Sequence, residues 1–345
     1  MRRIATLIAG LALLAIAAPA FADDVQPPAA VASWAQAQIE AVVAAGLMAP
    51  SVEEFRPDDA LTRAELAAVL TTLTGQEQVL PEPDRLVTMW ELNARLVRAL
   101  GLAPAAKQIR AAVGAAGLKP PARLGTETVA RLLGLRFNHP ADQDYLELLP
   151  GDPATRAEAA FSIARILELR AGEADYQWVN DLAASTALPP LTDWQRAVLT
   201  RAVRFVGYPY VWGGTSEREE TPFEITARGG FDCSGFVWRV FKTKPFADAP
   251  LLAETLKGRS TYEMSAEEPV GERIPLEGLQ PGDVIFFGLN GPQSKPEEIV
   301  HAGIYLGGGW FAHSSRYGTT LTPLTDWYAT SFAWGRRLLL EAGLQ

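Results

Sequence analysis

Cys233 is the only cysteine of the 345 residues and lies in the run F-D-C-S-G-F-V-W-R-V-F. A thiol attacks as thiolate, so a nucleophilic cysteine needs a lowered pKa, from a helix N-terminus, a histidine partner or both. Phe236, Val237, Val240 and Phe241 follow at helical spacing. They predict an amphipathic helix that begins at Cys233, where unpaired N–H groups and the helix dipole favour negative charge. Those N–H groups, that of Cys233 foremost, could also hold an oxyanion. His301 opens the stretch V-H-A-G-I-Y-L-G, and His313 lies in W-F-A-H-S-S, with Gly307, Gly308 and Gly309 between them. The glycines predict a hairpin turn. The two histidines have the same parity, so they share a face only if the turn holds an odd number of residues, such as a three-residue loop. One imidazole would then take the thiol proton and the other orient it. Two histidines and a cysteine could instead ligate zinc, but no Cys-x-x-Cys or His-Glu-x-x-His spacing supports a metal, and no cofactor is expected. His139 reads as part of a polar turn without a partner. Glu219-Glu220, Glu267-Glu268 and Glu297-Glu298 read as solvated surface.

The elements that must position these groups form an α+β region at 191–345. Thr192 or Asp193 caps a helix with Trp194, Ala197, Val198, Arg201, Ala202 and Phe205 on one face. Short apolar strands are predicted at Asp283–Phe287, Val300–Leu306, Trp310–His313 and Phe332–Leu338, in an antiparallel sheet. Before it, 171–190 reads as a linker, interrupted by Gly172, Pro189 and Pro190.

Residues 1–22 combine Arg2-Arg3, a short apolar run and an Ala-Phe-Ala end, the pattern of a removable secretory signal peptide. Its removal takes two basic side chains and no acidic ones, so 29 basic and 40 acidic groups remain, a formal charge of −11. That argues against a nucleic-acid partner, and no later stretch is long and apolar enough to span a membrane. In an exported chain a single cysteine has no intramolecular disulfide partner, which favours catalysis as its role.

Residues 23–170 read as helical repeats. A Trp34-led helix closes at Gly46, the turn F-R-P-D-D follows at 55–59, and Thr62-Arg63-Ala64-Glu65 opens a second helix through a capping box. The frame recurs at Thr155–Glu158 and Thr88–Glu91, with Thr126 opening a degenerate fourth copy. These residues resemble the S-layer homology domain, clearly over 31–75 and well at 150–170. The resemblance implies stacked helical units that hold secondary cell-wall polymers.

The order Y-V-W-G-G, D-C-S-G-F-V, L-Q-P-G-D-V-I-F-F, H-A-G-I-Y-L-G and H-S-S resembles the NlpC family of cell-wall cysteine endopeptidases over about 193–340. The resemblance implies a papain-like fold with a catalytic helix on an antiparallel sheet. It gives Cys233 the role of nucleophile, His301 that of general base and His313 that of orienting residue. Tyr210 matches the family tyrosine beside the thiol. Asp232 and Ser234 match positions that in some members help hold a stem-peptide amine. The implied function is a secreted, wall-located hydrolase of peptidoglycan stem peptides, cutting between γ-D-glutamate and the diamino acid. An amidase or acyltransferase on the same fold, or a non-catalytic wall-binding protein, are the alternatives. The insertions at 217–230 and 288–298 depart from the family pattern and flank the expected cleft.

Overall fold

The structure is a computed structural model that describes residues 33–172 and 176–344. The expected signal segment, 1–22, lies outside the described residues. No helix among the described residues is long and apolar enough to cross a membrane.

Among the described residues six α-helices build the repeat region: α1 (Gln36–Ala44), α2 (Arg63–Thr74), α3 (Met89–Ala99), α4 (Ala103–Ala115), α5 (Leu124–Leu132) and α6 (Arg156–Ala171). Three of them start as their sequence frame predicts. Thr62 accepts from the Glu65 N–H and Glu65 answers at the Thr62 N–H, a complete capping box; Thr88 and Thr155 accept from the N–H groups of Glu91 and Glu158. Such caps contribute about 1 kcal/mol each. The residues just before them bond one another in a ring. Leu61 N–H donates to Ala154 O at 2.8 Å, Ala154 N–H to Val87 O at 2.8 Å, and Val87 N–H to Leu61 O at 2.9 Å. The three frames thus close on one another through a single ring of backbone bonds. Thr126 lies inside α5 and donates to Arg123 O, so it is no helix start. His139 is buried rather than in an open turn: its Nε2 is 3.3 Å from Glu158 Oε1, and its ring lies edge-on to Trp34 and Phe137.

In the stretch read as a linker, α7 (Gln177–Ser185) buries Val179 and Ala183, an i,i+4 pair that seats one helix face. Then come α8 (Asp193–Val203), capped by Thr192, and the short ribbon of β1 (Thr215–Ser216) with β2 (Gly230–Phe231). Next are α9 (Cys233–Phe241), α10 (Leu251–Thr255) and α11 (Thr261–Ala266). Strands β3 (Val284–Gly288), β4 (Ile299–Gly307), β5 (Trp310–Ser315) and β6 (Gly318–Pro323) follow, then α12 (Asp326–Ser331) and β7 (Phe332–Arg336). The last five strands form one antiparallel sheet in the order β6-β5-β4-β3-β7. Helix α9 packs on β4 and β5, and α5 of the repeats packs on β6. This is the expected α+β, papain-like arrangement beside an all-α repeat region. Strand β6 is the addition. Its sequence, G-T-T-L-T-P, has β-branched threonines but little apolar signal.

Two carboxylate pairs are not free surface. Glu267 and Glu268 face Arg336, at 2.7 and 3.4 Å. Glu220 accepts from the Thr215 and Ser216 N–H groups and the Thr215 hydroxyl, tying down the 217–230 insertion.

Candidate active site

Asp232 is the N-cap of α9 and sets the position of Cys233. Its carboxylate accepts from the Gly235 N–H, from the Gly213 N–H at 3.0 Å and from Ser234 Oγ at 3.0 Å. Arg259, just before α11, adds two bonds to Asp232 at 3.2 and 3.3 Å, one to Ser234 Oγ at 2.6 Å and one to Gly213 O at 2.9 Å. Asp232 and Ser234, to which the family resemblance gives a substrate amine, are both bonded by the Arg259 guanidinium. A Cβ on Gly235 would run into Gly214 O, so this glycine lets α9 approach the W-G-G loop.

Cys233 is half-buried and lines a cleft of about 650 Å3, together with Tyr210, Trp212, Phe223, Arg259 and Tyr262 among others. Trp212 and Phe223 leave much of their rings uncovered there. The backbone of Ala302, the residue after His301, and of Ser234 and Cys233 itself works to lower the thiol's pKa. The sequence thus brings Cys233 and the start of β4 together across the α9–β4 contact.

His301 on β4 and His313 on β5 do share a face. Nε2 of His301 lies 2.8 Å from Nδ1 of His313, and Nε2 of His313 lies 2.8 Å from Thr322 Oγ1 on β6. The parity condition is met, but not by a three-residue loop. Gly307 pairs with Trp310 around a two-residue turn of Gly308 (φ 60°) and Gly309 (φ 76°), and a bulge between Tyr305 and Gly307 supplies the odd residue. Phe287, Phe311 and Tyr328 wall the pair, with Phe287 5.6 Å from His301, Phe311 4.5 Å from His313 and Tyr328 5.2 Å from His313.

These walls set the electrostatics. Burial pushes His301 down to about 4 and His313, which also faces His301, well below its ordinary value. Burial, then the Asp232 charge, pushes the Cys233 thiol up to about 12, against the three backbone bonds that pull it down. The helix start alone would have lowered it. Burial thus works against charge on the thiol and on both imidazoles. Burial also raises the Tyr210 phenol far above its usual range, which keeps it a neutral donor.

Sequence reasoning missed Thr322, Tyr328 and Arg259. Only the capping box of Ser260 with Glu263, which begins α11 beside Arg259, left a trace in the sequence. Among the described residues, no group of three or more His, Cys, Asp or Glu side chains could hold a metal ion.

Residues 207–337 match the family model NlpC/P60 family. This stretch is an NlpC/P60 domain. Residues 29–67 match the S-layer homology domain. Over 121 residues the chain is 31% identical to a gamma-D-glutamyl-L-lysine dipeptidyl-peptidase of Bacillus subtilis, covering 35% of this chain and 32% of that protein. Over 153 residues it is 29% identical to the murein DD-endopeptidase MepH of Escherichia coli, covering 44% of this chain and 48% of that protein. The chain thus spans about a third to a half of the length of these relatives. A crystal structure of an NlpC/P60 family protein from Bacillus cereus is 26% identical, covers 45% of this chain and 43% of that one, and superposes with a TM-score of 0.31. The NlpC/P60 domain holds Cys233, His301 and His313, together with Thr322 and Arg259.

Proposed function

We propose that the protein is a secreted cysteine endopeptidase that hydrolyses peptidoglycan stem peptides at the γ-D-glutamyl–diamino acid bond. The observation that carries this reading is the line His301–His313–Thr322, which begins on the strand, β4, that packs against the helix opened by Cys233. With His301 Nε2 donating to His313 Nδ1, and His313 Nε2 donating to Thr322, Nδ1 of His301 keeps its lone pair for the thiol. His301 removes the proton as the sulfur attacks the carbonyl carbon. The Cys233 N–H and the Tyr210 hydroxyl face the developing oxyanion. The imidazolium then returns the proton to the leaving amine, and water, deprotonated by the same imidazole, releases the acyl group. The choice of bond follows the γ-D-glutamyl-L-lysine linkage for which the Bacillus subtilis relative is named; the Escherichia coli relative is named for a DD linkage. The repeats would hold the enzyme at the cell surface through wall polymers.

The test is digestion of purified peptidoglycan with mass spectrometry of the fragments. New amino groups on the diamino acid are expected, with Cys233→Ala slower by at least about a thousandfold. Muramyl-linked ends, DD-linkage products or an active Cys233→Ala protein would overturn the proposal. The same variant should co-sediment with intact walls if the repeats bind them.

A further inference from the structure

The 217–230 insertion holds an aromatic ring over the W-G-G loop, and the mechanism above leaves that ring without a task. Phe223 stands at the tip of the insertion in the left-handed region, at φ 49° and ψ 40°, and Glu224 follows at φ 69°. A bulky side chain enters that region only against strain, and such strain gathers where a residue is presented to a ligand. The base of the insertion is tied down. Glu217 takes two bonds of 2.7 Å from Arg239 on α9. The backbones of Glu220 and Ala227 bond each other at 3.1 and 2.9 Å, and the hydroxyls of Thr221 and Thr226 meet at 3.1 Å. The residue this frame holds up is not a core residue: Phe223 is 72% exposed. Its ring lies over Gly213, where a Cβ would collide with it, and Trp212 beside Gly213 is 54% exposed. Both rings line the cleft that Cys233 lines. The Gly213 N–H beneath Phe223 donates to Asp232, the residue before the nucleophile, at 3.0 Å.

Two open aromatic rings suit a broad, uncharged face. An ammonium would need a carboxylate to itself, and the two in the cleft lining are engaged. Asp232 faces Arg259 at 3.2 Å, and Glu263 accepts from the N–H groups of Arg259 and Ser260 at 3.0 and 2.9 Å. The alanine, glutamate and diamino acid side chains of a stem peptide offer only methyl and charged groups. The pyranose from which a stem peptide hangs offers a face of C–H bonds. We infer that Phe223 and Trp212 form a stacking platform for that sugar, so the preferred substrate is a stem peptide still joined to its glycan. This rests on the endopeptidase reading, which sends the leaving amine toward β4 and His301. The acyl half, two residues and then the sugar, runs along the wall built by the W-G-G loop and the insertion.

Two measurements test this. The first compares wild-type turnover of N-acetylmuramyl-L-alanyl-γ-D-glutamyl-L-lysine with that of the same tripeptide capped by an acetyl group. The muramyl form should show a KM about tenfold lower. Phe223→Ala should erase the difference, and Phe223→Tyr should keep it. Phe223→Gly removes the ring and the backbone strain together, so it should erase the difference and still melt no lower than wild type. A difference that survives Phe223→Ala, or a Phe223→Gly protein that melts lower, would overturn the proposal. The second measurement is calorimetric binding of both peptides to the full-length Cys233→Ala protein, where the muramyl form should bind about tenfold more tightly. Equal binding defeats the platform. Turnover of both peptides with one KM defeats the platform and spares the endopeptidase. Turnover of neither, with the binding preference present and lost on adding Phe223→Ala, defeats the endopeptidase and spares the platform.

Discussion

Thr322 is the residue on which the direction of the histidine line turns. In the proposed mechanism Thr322 accepts from His313 Nε2, which leaves His313 Nδ1 to accept from His301 and the far nitrogen of His301 for the thiol; the two contacts of that line are each 2.8 Å. Thr322→Val strands that buried N–H and loosens the tautomer; kcat should fall about tenfold with little change in KM, and Thr322→Ser should restore it. Steady-state kinetics on a defined stem peptide decide the point, and a change in KM alone would contradict it. The histidine pKa gives a second expectation. With His301 held near 4, kcat/KM should persist to about pH 5 and fail as pH drops through 4, where an ordinary histidine would already be charged at 6. Stability has the matching sign. Between 6.5 and 4 the unfolded chain takes up a proton at His301 that the folded chain refuses, so this group destabilises the protein progressively as pH falls through that window. The difference in melting temperature between wild type and His301→Gln should therefore shrink toward pH 4. Cys233, His301, His313 and Asp232 were legible in the sequence because their types are scarce or their motifs specific. Thr322 was not: it stands among Thr319, Thr320 and Thr325, and only the strand register singles it out.

Between residue and fold stands the β4–β5 hairpin, which turns two distant sequence positions into neighbours. The glycine triplet announced a turn and parity announced a constraint, yet the solution lay in a bulge, which has no sequence signature of its own. Strand β6 was likewise illegible, because it is recognised by its pairing along β5 rather than by apolar alternation. The glycines are not equivalent. A side chain on Gly308, at φ 60°, would collide with Ala187 O, whereas one on Gly309, at φ 76°, meets nothing. Gly308→Val should cost about 1–3 kcal/mol and shift the hairpin enough to part the imidazoles. Gly309→Asn should be tolerated, since asparagine enters the left-handed region readily. Denaturant midpoints, measured with peptidase activity, separate the two; equal losses at both positions would contradict this account of the turn.

At the scale of the molecule, the repeats pack directly onto the sheet that carries the histidine pair. Strand β6 is an edge of the sheet, and α5 lies against it. Arg131 donates to Tyr317 O and, at 2.7 Å, to Gly207 O; Arg123 donates to Val206 O at 2.8 Å and Arg204 O at 2.7 Å. These bonds end on backbone carbonyls, which carry no sequence code, so the sequence reads the two regions as separable. Residues 191–345 made alone would leave the β6 edge and those carbonyls uncovered, and should be aggregation-prone. Asp144 of the repeats reaches the cleft itself. It accepts from the N–H of Trp212, a cleft wall, at 2.8 Å, while its other oxygen is buried without a partner. Burial pushes this carboxyl up to about 6. Between 3.8 and 6 the folded chain keeps a proton that the unfolded chain gives up, so the buried charge lowers stability fully above pH 6 and not at all below 3.8. Asp144→Asn keeps an acceptor for Trp212 and removes the charge. Its melting temperature should match or exceed wild type at pH 7.5, with the gap closing toward pH 4.5. Asp144→Ala, which strands the Trp212 N–H, should melt lower at both. An asparagine variant less stable at pH 7.5 than at 4.5, relative to wild type, would show that the carboxylate is paired across this junction rather than strained by it.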